Sequence, residues 1–493
     1  MSVAPNFAGA SPPSKPTHFY MLPSTPKFAY IDSGEEWESL PEDDLYSEIM
    51  ECGVPLLELL AKVARGYQKG NPIALLSKAI GVAACDTPGV SIATGIAGRP
   101  VPLNFLFCLV GPSGLGKGTT LDARLSCANP MGGYRNTTPA SGEALIASFF
   151  DTVPAADGKG VETEQHKDPV WASWGEIDAF AAKSGSSGST LDAIMRSLWT
   201  GEAAGDKSIS RMKAGIGCRV EEDSYRFVMF VGAQPDHAGV LLEDATGGTI
   251  QRLLWFPLPD DDAPETSADI RAYKRDLEVT LGVPHNSLQL GSPDLKVWGP
   301  SQVSVSNDVI ETMEENRSRI LRRVENLDPL DAHRDNLRTR LAAIFAGWRA
   351  GQGNPALIDN EAWWWAGCVL EYSRRTRNAC VIAARSKKMF DAREEGKAEG
   401  ERFLARSAHI ETQKEKALTA ALDRVFEILE EGLWKKGSKN PSPLGATAGD
   451  VSRHVSTTYR KQTQDLINIH VMDGSVIAEK DHTGRMRYRV RES

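Results

Sequence analysis

Residues 105–120 read FLFCLVGPSGLGKGTT: an apolar run that turns through glycines into a lysine and two threonines. An unbroken apolar run of this length fits a strand buried on both faces, as in a parallel sheet. Gly111, Pro112, Ser113, Gly114, Leu115, Gly116 and Lys117 satisfy the first seven positions of the phosphate-loop pattern G-x-x-x-x-G-K-[ST]. Glycines leave backbone N–H groups free to converge on phosphate oxygens. The lysine reaches the outer phosphates, and the next helix adds the positive end of its dipole. A strand over 103–110 and a helix over 119–125 supply the expected context and imply bound ATP with Mg²⁺. Gly118 stands where a hydroxyl normally holds the metal, leaving Thr119 or Thr120 to supply it. The alternative is a glycine-rich turn without a ligand.

The chain has 493 residues, enough for about three domains. Its 41% hydrophobic and 25% charged content is that of a globular protein. A net charge of −9 excludes a uniformly basic surface, so any nucleic-acid contact must be local. Seven cysteines form no C-x-x-C pair and read as buried thiols in a reducing cytoplasm. Neither a signal peptide nor an apolar run of the ~20 residues needed to span a bilayer is present, so a cytoplasmic location without a membrane partner is expected.

Five segments are predicted. Residues 1–44, rich in Pro, Ser and Ala, form a flexible arm. Residues 45–99 are a helical lead-in, and 100–260 an α/β core with a mostly parallel sheet. Residues 261–412 are helical, and 413–493 form a separate unit. Within them, the acidic cluster Asp260, Asp261 and Asp262 reads as a solvated loop, and Trp363, Trp364 and Trp365 as helix core.

A phosphate cradle binds; hydrolysis also needs a metal and an oriented water. Residues 170–174 form a short buried strand with Glu176 at its C-terminal edge, where α/β sheets place ligands. Glu176 would act on the water and Asp178 would assist the metal, although Gly175 stands where an Asp is commoner; a surface acid pair is the alternative. Gln234 follows another strand, at 226–231, either to read the γ-phosphate or to serve as a turn residue before Pro235. Arg252 lies between a Gly-Gly turn and a strand, either to stabilise transition-state charge or to make an ordinary ion pair.

The final segment predicts helix, helix, helix, hairpin, the order of a winged helix. Arg453, Tyr459, Arg460 and Lys461 would lie on or beside its recognition helix, and Lys480, His482, Arg485, Arg487 and Arg489 on its wing. Such a unit binds DNA in one reading and a protein in the other.

The order GPSGLGKG, TPASGEALIASFF, LWTGEAAG, FVGAQPDHAGVLLEDATGGTIQRLLWFP, LDAHRDNLRTRLAAIFAGW and EAWWWAGCVLEYSRRTR resembles a family over residues 70–380. It is similar to the P-loop ATPases of actinobacterial phages and mobile elements, associated with primase-polymerase domains and related to replicative helicases. The resemblance implies a RecA/AAA+-like parallel sheet and an ATP-driven helicase-like role in DNA replication. It lends weight to Lys117, Glu176, Gln234 and Arg252. This chain departs from the family at Gly118 and Gly175, and at Arg340, where relatives tend to have Lys. Implied partners are single- or double-stranded DNA, further copies of the chain (a hexameric ring among the options) and a separate primase. The rival readings are a nucleotide kinase, suggested by the G-K-G-T ending, and a DNA-binding regulator or initiator for which ATP is an assembly switch.

Overall fold

The computed structural model describes residues 36–96, 98–129, 133–154, 161–177, 180, 190–205, 218–239, 248–288, 292–323, 328–436 and 442–491. They gather in two compact units, 1–387 and 388–493, each with its own hydrophobic cluster.

The first unit is a mixed α/β layer around one parallel sheet. Its strands are β1 (Phe105–Val110), β2 (Arg135–Thr137), β3 (Val170–Trp174), β4 (Phe227–Ala233) and β5 (Leu253–Pro257), in the spatial order β5-β1-β4-β3-β2. Every adjacent pair is parallel. All six residues of β1 and all seven of β4 are buried, because helices cover both faces of a parallel sheet. The two edges are closed differently. β2 is only three residues long, and its Arg135 is paired with Asp151 and Asp168, a charged edge that resists further pairing. On β5 the Trp255 N–H donates to Ser373 Oγ at 2.7 Å, so a helix side chain satisfies the open edge.

Three helices precede the sheet: α1 (Glu42–Met50), α2 (Pro55–Gly66) and α3 (Pro72–Cys85). Asn71 caps α3 by accepting from the Ile73 N–H at 2.8 Å, with Pro72 at the first helical position. Every residue of α3 is buried, since it presses directly on the sheet. Gly81 makes that approach possible: a Cβ there would stand 3.0 Å from the Trp171 ring of β3. The expected arm ends earlier than 44. Trp37 packs under Arg338, 5.0 Å from its ring centroid, and α1 starts at Glu42. Residues 1–35 lie outside the described part.

After β1 come α4 (Lys117–Leu121), α5 (Gly142–Ala147) and α6 (Leu191–Thr200), then α7 (Ser267–Leu281), α8 (Asn307–Leu321), α9 (Arg334–Ala350) and the long α10 (Asn360–Glu430). The expected helix over 119–125 is displaced. α4 ends at Leu121, and Leu125–Cys127 becomes a strand parallel to Leu295–Val297, its Leu125 and Cys127 buried on alternate positions. The acidic cluster is an exposed turn at Asp261 and Asp262, as expected, while Asp260 is drawn in. Arg65 of α2 pairs with Asp260 at 3.1 Å and with Asp262 at 3.0 Å. Trp364 donates to Glu48 Oε2 at 2.7 Å and Trp365 to the Ile49 carbonyl at 3.0 Å, so the tryptophan run pins α10 to α1.

In the second unit the end of α10 packs with α11 (Ala448–Ser452), α12 (Thr463–Met472) and an antiparallel hairpin, β6 (Val476–Lys480) with β7 (Met486–Val490). A single bridge, Ala446 with Tyr488, adds a third strand position. Residues 457–462 form a turn and one 3-10 turn ahead of α12. Among the described residues no helix is long and apolar enough to cross a membrane, and six of the seven cysteines are buried free thiols.

Candidate phosphate-binding and hydrolytic site

The loop after β1 opens at the C-terminal edge of the sheet. Its start is tied to β4, with the Gly111 N–H donating to the Ala233 carbonyl at 3.0 Å. Gly114 (φ 89°) and Gly116 (φ 80°) lie in the left-handed region, which glycine enters at no steric cost. Gly116 is also crowded, since a Cβ would sit 2.4 Å from Thr119 Oγ1. Pro112, Ser113, Gly114 and Leu115 form an exposed rim, with Leu115 47% exposed, so the loop is open and not plugged by its own side chains.

Lys117 turns inward. Its ammonium is buried and has no hydrogen-bond partner in correct geometry, but Glu176 Oε1 stands 3.3 Å away. A cation withdrawn from water with a single half-exposed carboxylate beside it is prepared to accept further anionic oxygen. Lys117 ends the loop that follows β1 and Glu176 lies just past β3, two strands that are not neighbours, because β4 runs between them. Gly232 of β4 removes the obstacle. A Cβ there would lie 2.6 Å from Lys117 Cδ and 2.4 Å from the Gly175 carbonyl. The sequence alone does not mark Gly232, since its importance depends on strand order.

The two threonines are separated by their surroundings. Thr120 is fully buried and donates its hydroxyl to the Lys69 carbonyl at 2.5 Å, which ties α4 to the turn after α2. Thr119 is exposed and donates to the Gly116 carbonyl at 2.7 Å, which leaves its oxygen lone pairs available to a metal. Thr119 therefore fits a Mg²⁺ ligand and Thr120 does not. Asp178 lies outside the described residues. Among the described residues no three His, Cys, Asp or Glu side chains cluster, so a metal here would rely on hydroxyl, carboxylate and phosphate oxygens, as Mg²⁺ commonly does.

α4 is only one turn and a half long, and its far end is held by a buried cation. Lys78 of α3 donates to the Leu121 carbonyl and, at 2.5 Å, to the Ala123 carbonyl, satisfying carbonyls that a helix C-terminus leaves open. Burial pulls the Lys78 pKa down to about 8, opposed by the nearby Asp122.

Gln234 directly follows β4 and lies beside Gly111 at the same sheet edge. The turn it begins is anchored to α10, where Lys387 bonds Asp236 at 3.2 Å and His237 at 2.9 Å. Burial pushes the Asp236 carboxyl up, but the hydrogen bond and charge of Lys387 bring it below its ordinary range.

Arg252 is not brought into this site. It immediately precedes β5, whose Pro257 pairs with Val110, so it sits at the opposite sheet edge, about 17 Å away along the strand. There it donates to the Gly248 carbonyl and lies over the Trp199 ring, 5.2 Å from the centroid. Arg340 packs on the same ring at 3.7 Å and donates to the Trp199 carbonyl at 2.9 Å. Burial, then the charges of Arg252 and Arg340, pulls the neighbouring His333 pKa down to about 4.

In the second unit the basic residues divide. Arg453 is paired with Asp450, and Arg487 with Asp481 at 2.9 Å, so both hold structure. The Thr483 and Arg487 hydrogen bonds hold the Asp481 carboxyl far below the ordinary range, against burial. Arg489 pairs with Glu479 at 3.4 Å. Tyr459 is partly buried on the unit's core. Arg460, Lys461, Lys480 and Arg485 are exposed, and their side chains have no ion pair or hydrogen bond among the described residues. α12 itself exposes Gln464, Asp465, Ile469 and Met472 and carries no Lys or Arg.

No family model matches the chain, and no curated protein matches it. Among solved structures it is similar to a protein from Cytophaga hutchinsonii described as "a putative ATPase", at 10% identity and a TM-score of 0.28, over 68% of this chain and 87% of that one.

Proposed function

We propose that the chain is an ATP-hydrolysing motor acting on DNA, a helicase-like replication protein of a phage or mobile element. One observation carries the ATPase reading: Lys117 Nζ and Glu176 Oε1 meet at 3.3 Å across Gly232, at the mouth of a glycine loop. In this reading the loop N–H groups and Lys117 hold the triphosphate, and incoming phosphate releases Lys117 from Glu176. Glu176, freed, orients and deprotonates the attacking water, and Gln234 contacts the γ-phosphate or that water. Mg²⁺, held in part by Thr119, would neutralise phosphate charge. The strand order, with the Gln234-bearing strand between the loop strand and the acid-bearing strand, supports a RecA/AAA+-like core.

The DNA part rests on the second unit. Its helices, its Ala446 bridge and its hairpin support a winged-helix reading, and Arg460, Lys461, Lys480 and Arg485 supply unspent positive charge for phosphates. Arg252, remote from its own chain's loop, would act on the site of a neighbouring copy in a ring.

ATP hydrolysis by the full chain, with and without single-stranded and duplex DNA, tests this reading. Lys117→Ala should lose nucleotide affinity, whereas Glu176→Gln should retain affinity and lose turnover by 10²-fold or more. Turnover unchanged in both variants would refute the ATPase. Hydrolysis indifferent to DNA would refute the motor, and binding without turnover would favour the ATP-switched regulator.

A further inference from the structure

Beside β5, a cleft of about 270 Å³ is enclosed by that strand, α10, the start of α9 and the 3-10 turn Pro329–Asp331. Two residues of α10, one turn apart, line it with unused hydrogen-bond donors. Ser373 is 4% exposed and Arg377 6%. Arg377 is held by Nη1 alone, which donates to the Leu330 carbonyl and to Asp331 Oδ1, both at 2.8 Å. Its Nε and Nη2 are buried and have no partner among the described residues. Ser373 Oγ accepts from the Trp255 N–H at 2.7 Å, and among the described residues its own proton finds no acceptor.

The cleft therefore lacks an acceptor. Among the described residues it leaves no buried side-chain acceptor unpaired. Donors kept dry and unbonded are destabilising, the more so on a charged group. Nε–H and Nη2–H lie along one edge of the guanidinium plane, at the spacing that matches two oxygens of one carboxylate or phosphate.

The remaining charges decide between those anions. Arg334, Arg374, Glu38, Asp328, Asp331 and Glu371 also line the cleft. Every acid is engaged. Glu371 is held by Arg374 at 2.6 Å and by Arg375 at 2.7 Å, and Asp331 by Arg377. Glu38 lies 3.5 Å from Arg334, and Asp328 accepts from the Leu330 N–H at 2.9 Å. With Arg375 counted, guanidinium groups and carboxylates balance, so one added negative charge can be met by the open donors. A phosphate dianion would bring twice that charge among the same carboxylates. Leu253, Leu254 and Leu337 complete the wall with apolar surface.

We infer that this cleft binds a small aliphatic monocarboxylate. Its two oxygens take the Arg377 Nε and Nη2 donors, the Ser373 hydroxyl donates beside them, and its hydrocarbon end rests on the leucines. The site stands apart from the phosphate loop and does not depend on the ATPase reading.

The test uses the full chain without nucleotide. Titration calorimetry with sodium pentanoate, to about 20 mM, should give a saturable isotherm. Pentanamide, which has the same body without the charge, and inorganic phosphate should each bind roughly tenfold more weakly or worse. No saturable pentanoate binding would overturn the site. Pentanamide or phosphate binding as well as pentanoate would overturn the carboxylate assignment. Arg377→Lys keeps the charge and removes the fork, so pentanoate affinity should fall roughly tenfold or more; unchanged affinity would overturn the role of Arg377. A second variant, Leu330→Trp, retains Arg377 and the carbonyl that holds it but fills the cleft. It should lose pentanoate binding with its urea melt unchanged, and wild-type affinity in this variant would place binding elsewhere and overturn the proposal.

Discussion

Gly232 lies under the Lys117 side chain, so close that a single methyl group would meet Cδ at 2.6 Å. One missing side chain on the intervening strand thus lets a loop lysine reach an acid two strands away. Gly232→Ala should displace Lys117 from Glu176 and press on the Gly175 carbonyl. The expected loss is 10²-fold or more in ATP turnover, with about 1–3 kcal/mol of stability from overpacking. Steady-state hydrolysis beside urea unfolding checks it; a variant as active as wild type would show that the lysine does not need this path.

The two departures from the usual metal-binding pattern both have room for the missing groups. A Cβ at Gly118 or at Gly175 meets nothing within 4 Å. Gly118→Thr and Gly175→Asp should therefore fold normally and lower the Mg²⁺ concentration that half-saturates hydrolysis. Thr119→Ala should raise it. Thr120→Val should leave the Mg²⁺ requirement unchanged while destabilising the fold by about 1–3 kcal/mol, because the Lys69 carbonyl loses its donor. A Mg²⁺ titration of turnover for the four variants separates the two threonines.

Lys78 makes stability depend on pH with a defined sign. Its folded pKa, about 8, lies below the ordinary 10.5, so between these values the unfolded chain binds more protons than the folded one. Stability from this group then rises with pH from about 8 to 10.5, and the burial penalty is fully present below 8. The stability difference between wild type and Lys78→Met should grow by about 3 kcal/mol over that window, at 1.36 kcal/mol per pKa unit. Urea melts at pH 7.5 and 10.5 provide the measurement; a flat difference would show that the ammonium is not held dry.

On the hairpin and its flanking turn, the free and the paired cations should part company. Replacing Arg460, Lys461, Lys480 and Arg485 by Ala should weaken DNA binding and flatten its salt dependence by roughly one unit of log–log slope for each phosphate no longer neutralised. Arg487→Ala should instead destabilise the second unit, since it strips the partner from Asp481. Fluorescence anisotropy at several salt concentrations, beside thermal melts, distinguishes the two effects.

What could be read from the amino acids alone was what depends on neighbours along the chain. The phosphate loop announces itself because its glycines, lysine and preceding apolar run are contiguous, and Glu176 because it closes a short buried strand. Distant relationships were hidden. Leu125–Cys127 looks like the tail of a helix until its partner at Leu295–Val297 is known, some 170 positions on. Arg252 sits next to a strand in sequence, but which end of the sheet it occupies is decided by the parallel register with β1. Asp260 reads as solvated because Arg65, nearly two hundred residues earlier, carries no mark of its destination. Arg487 could be counted as basic, but not as spent on Asp481.

The bond from Trp255 to Ser373 has a bearing on how copies of this chain can assemble. With that donor occupied from within, and the far margin cut to three residues beside charged Arg135, neither border of the sheet invites a foreign strand. Copies that come together would therefore not continue this sheet from one molecule into the next, a junction that would weld them, and would meet on surfaces better able to slide and release.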